Sequence, residues 1–184
     1  MIDFIDISAS RAAYKELRGH AGGIYDVAWS TDRRQIVSAS SDGTVRLWNT
    51  LSWSNLSKYR DSGEPLWAVD MAPIYGHYLL TGGNDRCVNM YSVDNLKVLR
   101  KFVGDCYGPV TSVKFHSNIN YIASGSSDRV VRLFDIRTGA MVRSFSGHKV
   151  ILTKIWTDNN FVFVNLCYGK YYARHLNIDI WQGH

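Results

Sequence analysis

The chain has 184 residues, of which 46% are hydrophobic and 20% are charged, a balance typical of a folded domain and not of a disordered chain. The formal net charge is +5, but lysines and arginines are scattered, which favours a solvated surface over a patch that binds nucleic acid. No apolar run is long enough to predict a membrane span, and the acidic N-terminal residues do not match a basic export signal.

Taken in chain order, the predicted elements are short β-favouring runs separated by turn signals. The first group holds "IYDVAW" at Ile24–Trp29 and "IVSAS" at 36–40, followed by a turn at Asp42-Gly43. A second group begins at Leu66–Met71 and a third at Val110–Phe115. No segment carries the apolar stripe of an amphipathic helix, so the sequence predicts an all-β fold.

The three groups are copies of one another. The run "SSDGTVRLWNT", which ends at Thr50, returns as "SSDRVVRLFDI", which ends at Ile136, and a weaker copy, "GNDRCVNMYSV", lies between them. Three kinds of anchor recur every 43 residues: a turn aspartate, a hydroxyl residue before it and an aromatic residue after it (Asp42, Asp85 and Asp128; Ser38, Thr81 and Ser124; Trp48, Tyr91 and Phe134). Such a repeat indicates supersecondary units that bury their faces only against their neighbours.

The period, the Gly-His dipeptides at Gly19-His20 and Gly147-His148, and the aromatic residue near the end of each copy resemble WD40 repeats. The second and third copies depart from this pattern, with Asp61-Ser62 and Gly104-Asp105 at the Gly-His position. The resemblance implies β-propeller blades of four antiparallel strands, about three blades plus an incomplete fourth, in an open array and not a closed ring. It divides the chain into an N-terminal extension, WD40 units and a tail outside the repeat (1–13; 14–149, as about 14–60, 61–103 and 104–146; 150–184).

The tail after Lys149 lacks the next copy of the motif. Asn177 stands where the period predicts an aromatic residue, and no Asp-Gly turn precedes it. The β-rich composition of 150–184 permits strands, so the tail is predicted to be irregular or a partial blade. Propellers close with about 4–8 blades, so an open array leaves apolar faces in water, and we expect the chain to associate at high concentration.

Several polar residues near the motif are candidates for chemistry. His20, Ser38 and Asp42 could form a Ser-His-Asp triad, but the WD40 resemblance assigns them, together with Trp48, to a structural hydrogen-bond network. Because the set is complete in one copy of three, the structural interpretation is favoured. The same network is assigned to the matching positions of the other copies (Thr81, Asp85, Ser124, Asp128 and His148).

Other signals of catalysis or metal binding are weak. His77 and His116 have no Cys or carboxylate at ligand spacing, and no phosphate-binding glycine motif stands between a strand and a helix. Cys87, Cys106 and Cys167 are widely spaced, so they predict reduced thiols and not a disulfide or a zinc site. We therefore predict no enzyme activity, no metal, no cofactor and no small-molecule substrate.

The resemblance also implies a binding face. In WD40 proteins, residues just after the Gly-His position and just before the turn aspartate build this face, and six residues of this chain stand there (Tyr25, Trp67, Thr111, Ser41, Asn84 and Ser127). Trp67 is the most informative, because aromatic residues are typical anchors of protein interactions. The alternative is that Trp67 packs inside its own blade, and the sequence leaves both possibilities open.

The copies are similar in detail to one WD40 family. The run "EPLWAVDMAPIYGHYLLTGGNDR" and the pairs Phe115-His116 and Asn120-Tyr121 resemble the WD40 subunit of transcription factor TFIID, the TATA-binding-protein-associated factor five family. The resemblance implies a partial or truncated relative: a nuclear, non-catalytic scaffold in TFIID or a SAGA-type complex that binds histone-fold subunits during RNA polymerase II transcription initiation.

Two other functions stay open at this point. The first is a WD40 adaptor in another intracellular complex, such as a ubiquitin ligase or a trafficking coat, with the cytoplasm as its location. The second is direct nucleic-acid binding, which the positive charge suggests. The scattered charges favour protein partners over sequence-specific binding to nucleic acid, and nothing predicts a membrane partner.

Overall fold

The structure is a computed structural model, and it describes residues 2–6, 13–60, 62–74, 76–94, 97–147, 152–157, 161–166 and 176–179. In this part of the chain every regular element is a β-strand, and no helix is long and apolar enough to cross a membrane. The strands are β1 (Ile2–Asp6), β2 (Ala13–Leu17), β3 (Ile24–Trp29), β4 (Gln35–Ser40), β5 (Thr44–Asn49), β6 (Asn55–Arg60), β7 (Leu66–Met71), β8 (Tyr78–Gly83), β9 (Val88–Ser92), β10 (Val98–Phe102), β11 (Val110–Phe115), β12 (Tyr121–Ser126), β13 (Val131–Asp135), β14 (Met141–Phe145), β15 (Leu152–Thr157), β16 (Phe161–Leu166) and β17 (Leu176–Asp179).

The strands form antiparallel sheets in which neighbours in sequence are neighbours in space. Three sheets have four strands each, and we call them blade one (β3–β6), blade two (β7–β10) and blade three (β11–β14). β15, β16 and β17 form a three-stranded sheet, and β2 pairs with β1 in a two-stranded one. The predicted fold class is confirmed: the molecule is an open array of four-stranded antiparallel blades followed by an incomplete sheet.

The first strands of successive sheets lie side by side along the axis of the array. These strands do not pair as a ladder, so a polar side chain on one strand accepts a hydrogen bond from a backbone N–H on the next. The same kind of bond joins the three-stranded sheet to blade three, which continues the array beyond the last sequence motif. The bonds run from Val69 to Asp26, from Phe115 to Asp70 and from Ile155 to Ser112, over 3.1, 2.8 and 3.0 Å.

The core lies in the seams between blades. Alternate residues of each strand point to opposite faces of a sheet, so each blade presents one apolar set to the blade before it and another to the blade after it. The seam between blades one and two contains Val37, Ala39, Val45, Leu47, Tyr59, Leu66, Val69, Met71, Leu79, Tyr91 and Val93. The seam between blades two and three contains Ala68, Ala72, Leu80, Val88, Met90, Phe102, Val110, Val113, Phe115, Ile122 and Phe134.

An aromatic residue at or next to the end of a fourth strand packs against the third strand of the next blade. The ring centroids are 5.8 Å apart for Tyr59 and Tyr91, and 5.6 Å apart for Phe102 and Phe134. These contacts explain why the sequence repeats an aromatic residue near the end of each copy: it receives the outer edge of the preceding sheet. Each pair buries aromatic area and fixes the angle at which neighbouring sheets meet.

Candidate interaction face

Tyr25, Trp67 and Thr111 occupy the same irregularity in the first strand of each blade. The pairing of the first and second strands shifts at each of these residues, so each is the extra residue of a β-bulge. A bulge turns a side chain away from its strand's regular alternation. The structure therefore places all three at the same end of their blades, on the surface around the axis.

Ser41, Asn84 and Ser127 lie beside these bulges. Each follows a second strand and donates its backbone N–H, over 2.9 Å, to a carbonyl in the loop that enters the first strand. The repeated bond brings the residue before each turn aspartate to the same end of the sheet as the bulge. The six residues predicted for the binding face are thus brought together by the backbone, and the acceptors are the carbonyls of Gly23, Pro65 and Pro109.

Trp67 is half-buried, and its neighbours lie in two blades. The Tyr25 ring of blade one lies 4.3 Å from its ring, at an angle of 57°. Its indole N–H donates over 3.4 Å to Asn84, whose amide donates over 3.5 Å to Glu64. Trp67 therefore bridges the seam at the surface and is not enclosed within its own blade, and 53% of Tyr25 remains exposed.

A hydrogen-bond network lies beneath this face in blade one. His20 Nε2 is 2.7 Å from Ser38 Oγ, and His20 Nδ1 is 3.1 Å from Asp42 Oδ2. The Trp48 indole N–H donates to the same Ser38 oxygen over 2.8 Å. Thr44 donates its hydroxyl to Asp42 over 2.6 Å. The network ties the loop before β3 to β4, to β5 and to the turn between them, and so supports the surface on which Tyr25 stands.

The ionisation of this network follows from burial and hydrogen bonding. Burial lowers the pKa of His20, and the hydrogen bond with Asp42 only partly offsets this effect. Burial also disfavours the Asp42 carboxylate, but hydrogen bonds from Thr44, Ala21 and His20 outweigh it and hold the pKa of Asp42 well below its usual range. A neutral imidazole that donates from Nδ1 and accepts at Nε2 satisfies both contacts of His20.

The same arrangement is a poor one for nucleophilic catalysis. Ser38 is fully buried, and its oxygen is occupied by Trp48 as well as by His20. A nucleophile must reach a substrate carbonyl while its base holds its proton, and this hydroxyl has no path to one. Among the described residues, no three His, Cys, Asp or Glu side chains are grouped so as to hold a metal ion.

The turn aspartates of blades two and three have other partners than His20. Asp85 accepts from the Asn89 amide over 3.2 Å and lies 3.5 Å from Lys101. Asp128 accepts from the buried Arg132 guanidinium over 2.8 and 3.2 Å. The turn aspartate of each blade is therefore bound by a different kind of side chain: a histidine in blade one, an asparagine in blade two and an arginine in blade three.

The hydroxyl residues of the three blades also differ. Thr81 and Ser124 are buried at the position of Ser38, beside Tyr91 and Phe134 in place of Trp48. In blade three the phenyl ring has no N–H, and Asp105 replaces the histidine, so Ser124 Oγ has no hydrogen-bond partner in the described part of the chain. His148, the last predicted member of the network, lies outside the described residues.

Two features of this region were missed by the sequence reasoning. The first is the residue four places after the turn aspartate, which is a partner of the carboxylate in blades two and three (Asn89 and Arg132). Arg46 stands at the same place in blade one, so the 43-residue period could have marked this position. Tyr107, in the loop before β11, is 85% exposed and donates its backbone N–H to Asp128. Tyr107 therefore adds an exposed aromatic side chain in the loop that enters blade three.

Gly19 and Gly104 have the same steric role in blades one and three: neither position has room for a side chain. An added Cβ on Gly19 would lie 2.7 Å from Arg46 and 3.3 Å from Trp48, and one on Gly104 would lie 2.7 Å from Phe134. The entering loop therefore crosses directly over the aromatic residue of the third strand. This close approach explains the glycine that precedes His20 in the motif and its retention before Asp105.

Comparison with known proteins agrees with this geometry. The family model described as "WD domain, G-beta repeat" matches residues 12–49 and 96–135. Together with the four-stranded blades, this match shows that the chain contains WD40 repeats and that its fold is an open WD40 propeller.

Particular relatives can be named from the same region. The chain is 39% identical to transcription initiation factor TFIID subunit 5 of Caenorhabditis elegans, over 74% of this chain and 21% of that protein. It is 31% identical to the guanine nucleotide-binding protein G(I)/G(S)/G(T) subunit beta-1 of Homarus americanus, over 73% of this chain and 40% of that protein. It is 30% identical to the guanine nucleotide-binding protein subunit beta of Lymnaea stagnalis, over 80% of this chain and 43% of that protein. The matched region therefore spans less than half the length of each of these relatives.

Proposed function

We propose that the chain is a non-catalytic protein-interaction scaffold that acts in RNA polymerase II transcription initiation, as part of TFIID or a SAGA-type complex in the nucleus. Its similarity to TFIID subunit 5 supports the choice of complex. Histone-fold subunits are the partners that we expect. The chemistry of binding is protein–protein, with no sequence-specific contact to nucleic acid, no membrane partner and no small-molecule substrate.

The observation that carries the binding role is the aromatic pair of Tyr25 and Trp67. Both rings lie at one end of two blades, and the bulges that present them are held by backbone bonds to the neighbouring loops. A rigid, partly exposed aromatic surface loses little conformational entropy when a partner covers it. Such residues account for most of the binding energy in many protein interfaces.

Affinity purification from nuclear extract tests this proposal. We expect the tagged wild-type chain to retain histone-fold subunits. The Trp67→Ala variant should bind them at least about 30-fold more weakly, because truncating an interface anchor costs about 2 kcal/mol. The matched control is Leu51→Ala, because Leu51 is 80% exposed but follows β5 at the opposite end of blade one. Equal capture by wild type and Trp67→Ala would contradict the proposed face.

A second candidate is a WD40 adaptor in another assembly, such as a ubiquitin ligase or a trafficking coat. The similarity to G protein beta subunits favours keeping it, because that match covers as much of the chain as the match to TFIID subunit 5. The same purification separates the two candidates. Histone-fold subunits support the transcription complex, whereas ligase or coat subunits without them support the adaptor.

A further inference from the structure

The two N-terminal strands pair in the register of the outer half of a blade. Leu17 in β2 pairs with Ile2 in β1, and it packs against Trp48 of blade one. One residue of the fourth strand in each blade pairs with a valine of the third strand in the same way. In blades one and two this residue also packs against the next blade. The equivalent pairs are Val45 with Tyr59, Val88 with Phe102 and Val131 with Phe145. By register, β1 and β2 are therefore the third and fourth strands of a sheet that precedes blade one.

The first two of the three C-terminal strands occupy the positions that β1 and β2 leave open, which are those of the inner strands of a blade. Ile155 in β15 pairs with Val164 in β16, as Val113 pairs with Ser124 in blade three. β15 also contacts β11, which places it as the first strand of the next sheet. By register, β15 and β16 are therefore the first and second strands of a blade, and β17 holds the third position.

The residues of β17 do not suit that third position. Asn177 pairs with Phe163, at the place where the third strands of the three blades have buried apolar residues. In β1, Phe4 stands at the equivalent position. It pairs with Lys15 of β2, just as the buried apolar residue of each third strand pairs with a residue of its fourth strand. Those residues are Leu47, Met90 and Leu133, and their partners are Ser57, Arg100 and Arg143.

The face of blade one that would meet such a sheet is exposed. Val27 and Trp29 are 39% and 47% exposed, whereas the residues at the same positions in the next two blades are between 2% and 4% exposed, because the preceding blade covers them. These covered residues are Val69, Met71, Val113 and Phe115. Covering Val27 and Trp29 in the same way requires a complete blade in front of blade one.

We propose that a second copy of this chain supplies that blade. β1 and β2 of one copy join β15 and β16 of the other, with β1 in the place that β17 holds in the separate chain. The composite sheet then has four strands, two from each copy, and it lies against Val27 and Trp29. Two such sheets close two copies into a ring of eight blades, which is within the range of about 4–8 blades over which propellers close. This inference does not depend on the proposed function.

Cysteine pairs test the register directly. In the composite sheet Asp3 stands opposite Val164, at the place where Arg46 pairs with Ser38 in blade one. Chains with Asp3→Cys are mixed with differently tagged chains with Val164→Cys, after the three native cysteines are replaced by alanine. We expect a disulfide-linked heterodimer under mild oxidation, because the Cα atoms of directly opposed residues lie within disulfide reach of about 7 Å.

The matched control combines Asp3→Cys with Val162→Cys, two residues along β16. Diagonal neighbours are about 7–8 Å apart, so this pair should link poorly, and equal linking of both pairs would overturn the register. A double Asp3→Cys, Val164→Cys chain that links only within itself would overturn the role of a second copy. Light scattering on the wild-type chain gives an independent check: we expect twice the chain mass, and the mass of one chain at every concentration would overturn the proposal.

Discussion

Ser38 and Ser124 occupy the same position in blades one and three, but their hydroxyl groups have different surroundings. Ser38 accepts a hydrogen bond from Trp48 and lies within hydrogen-bond distance of His20. In the described part of the chain, the buried Ser124 hydroxyl has no such partner. A buried polar group without a partner forfeits the hydrogen bonds that it made to water when the chain was unfolded.

This difference predicts opposite consequences for the same substitution. Ser38→Ala should lower the free energy of unfolding by about 1–3 kcal/mol, because it leaves the buried Trp48 indole N–H without an acceptor. Ser124→Ala should be nearly neutral or stabilising, because it removes a buried hydroxyl that makes no bond. Urea titrations of the two variants and the wild type measure both effects. Equal losses for the two variants would contradict the assignment of the network to blade one.

The lowered pKa of His20 predicts how stability depends on pH. In the unfolded chain a histidine has a pKa of about 6.5, whereas burial lowers the pKa of His20 in the native state. Between these two values the unfolded state binds more protons, so the free energy of unfolding rises with pH. The contribution is fully present above about pH 6.5 and is lost as the pH falls toward the native pKa.

The measurement is the urea unfolding free energy of the wild type and of His20→Gln between about pH 7.5 and about pH 5. The variant should be less stable at neutral pH, because it loses part of the network, but its stability should change less on acidification. Parallel curves for the two proteins would show that His20 does not titrate in this way.

At the scale of the element, the seams between first strands depend on single polar side chains. Asp70 is almost completely buried, accepts the Phe115 N–H over 2.8 Å and forms an ion pair with Lys114. Burial raises the pKa of Asp70, and the Lys114 charge and the Phe115 hydrogen bond oppose that rise. The carboxylate is therefore held in the seam by two partners that both come from the next blade.

Removing this carboxylate should uncouple blades two and three. We expect Asp70→Ala to cost about 3 kcal/mol, the lower end for a broken buried pair, because Lys114 can still reach water. Asp70→Asn should cost less, since its amide oxygen can keep the bond from the Phe115 N–H. Denaturant unfolding of both variants gives the difference, and equal losses would contradict the importance of the backbone bond.

How far the sequence predicts these elements depends on whether a feature repeats. The 43-residue spacing of Asp42, Asp85 and Asp128 predicted the order of strands and turns, because each copy must present the same faces to its neighbours. The sequence could not show the seam bonds, since Asp26 and Asp70 stand at different places in their strands. Such a bond depends on the distance between two sheets, which no local pattern records.

The same distinction applies to the interaction face. The motif placed Trp67 near the end of a first strand, but it left open whether its ring packs within its own blade. The answer depends on the bulge at that residue and on Tyr25 of the neighbouring blade. Both are tertiary features. The period could therefore predict the position of Trp67 in its blade, but not the residues that surround its ring.

At the scale of the whole molecule, an open array has a blade face that no preceding blade covers. Val27 and Trp29 of blade one are about half exposed, whereas Met71, at the position of Trp29 in blade two, is 4% exposed. The exposed apolar face of blade one favours association, because burying it against another molecule contributes about 25 cal/mol for each Å² removed from water. The exposed face of blade one is therefore the part of the chain from which concentration-dependent association is expected to begin.

Substitutions on this face should separate association from folding. A Val27→Thr, Trp29→Gln variant should stay dispersed at concentrations at which the wild type associates. The free energy of unfolding should change less than for a buried residue, because about half of each side chain is already in water. Met71→Thr is the matched control: it places a hydroxyl in the buried seam, so it should cost about 2 kcal/mol or more of stability. Light scattering over a concentration series and urea unfolding measure the two properties separately. If the double variant unfolded as readily as Met71→Thr, or associated as strongly as the wild type, the face of blade one would not be the source of association.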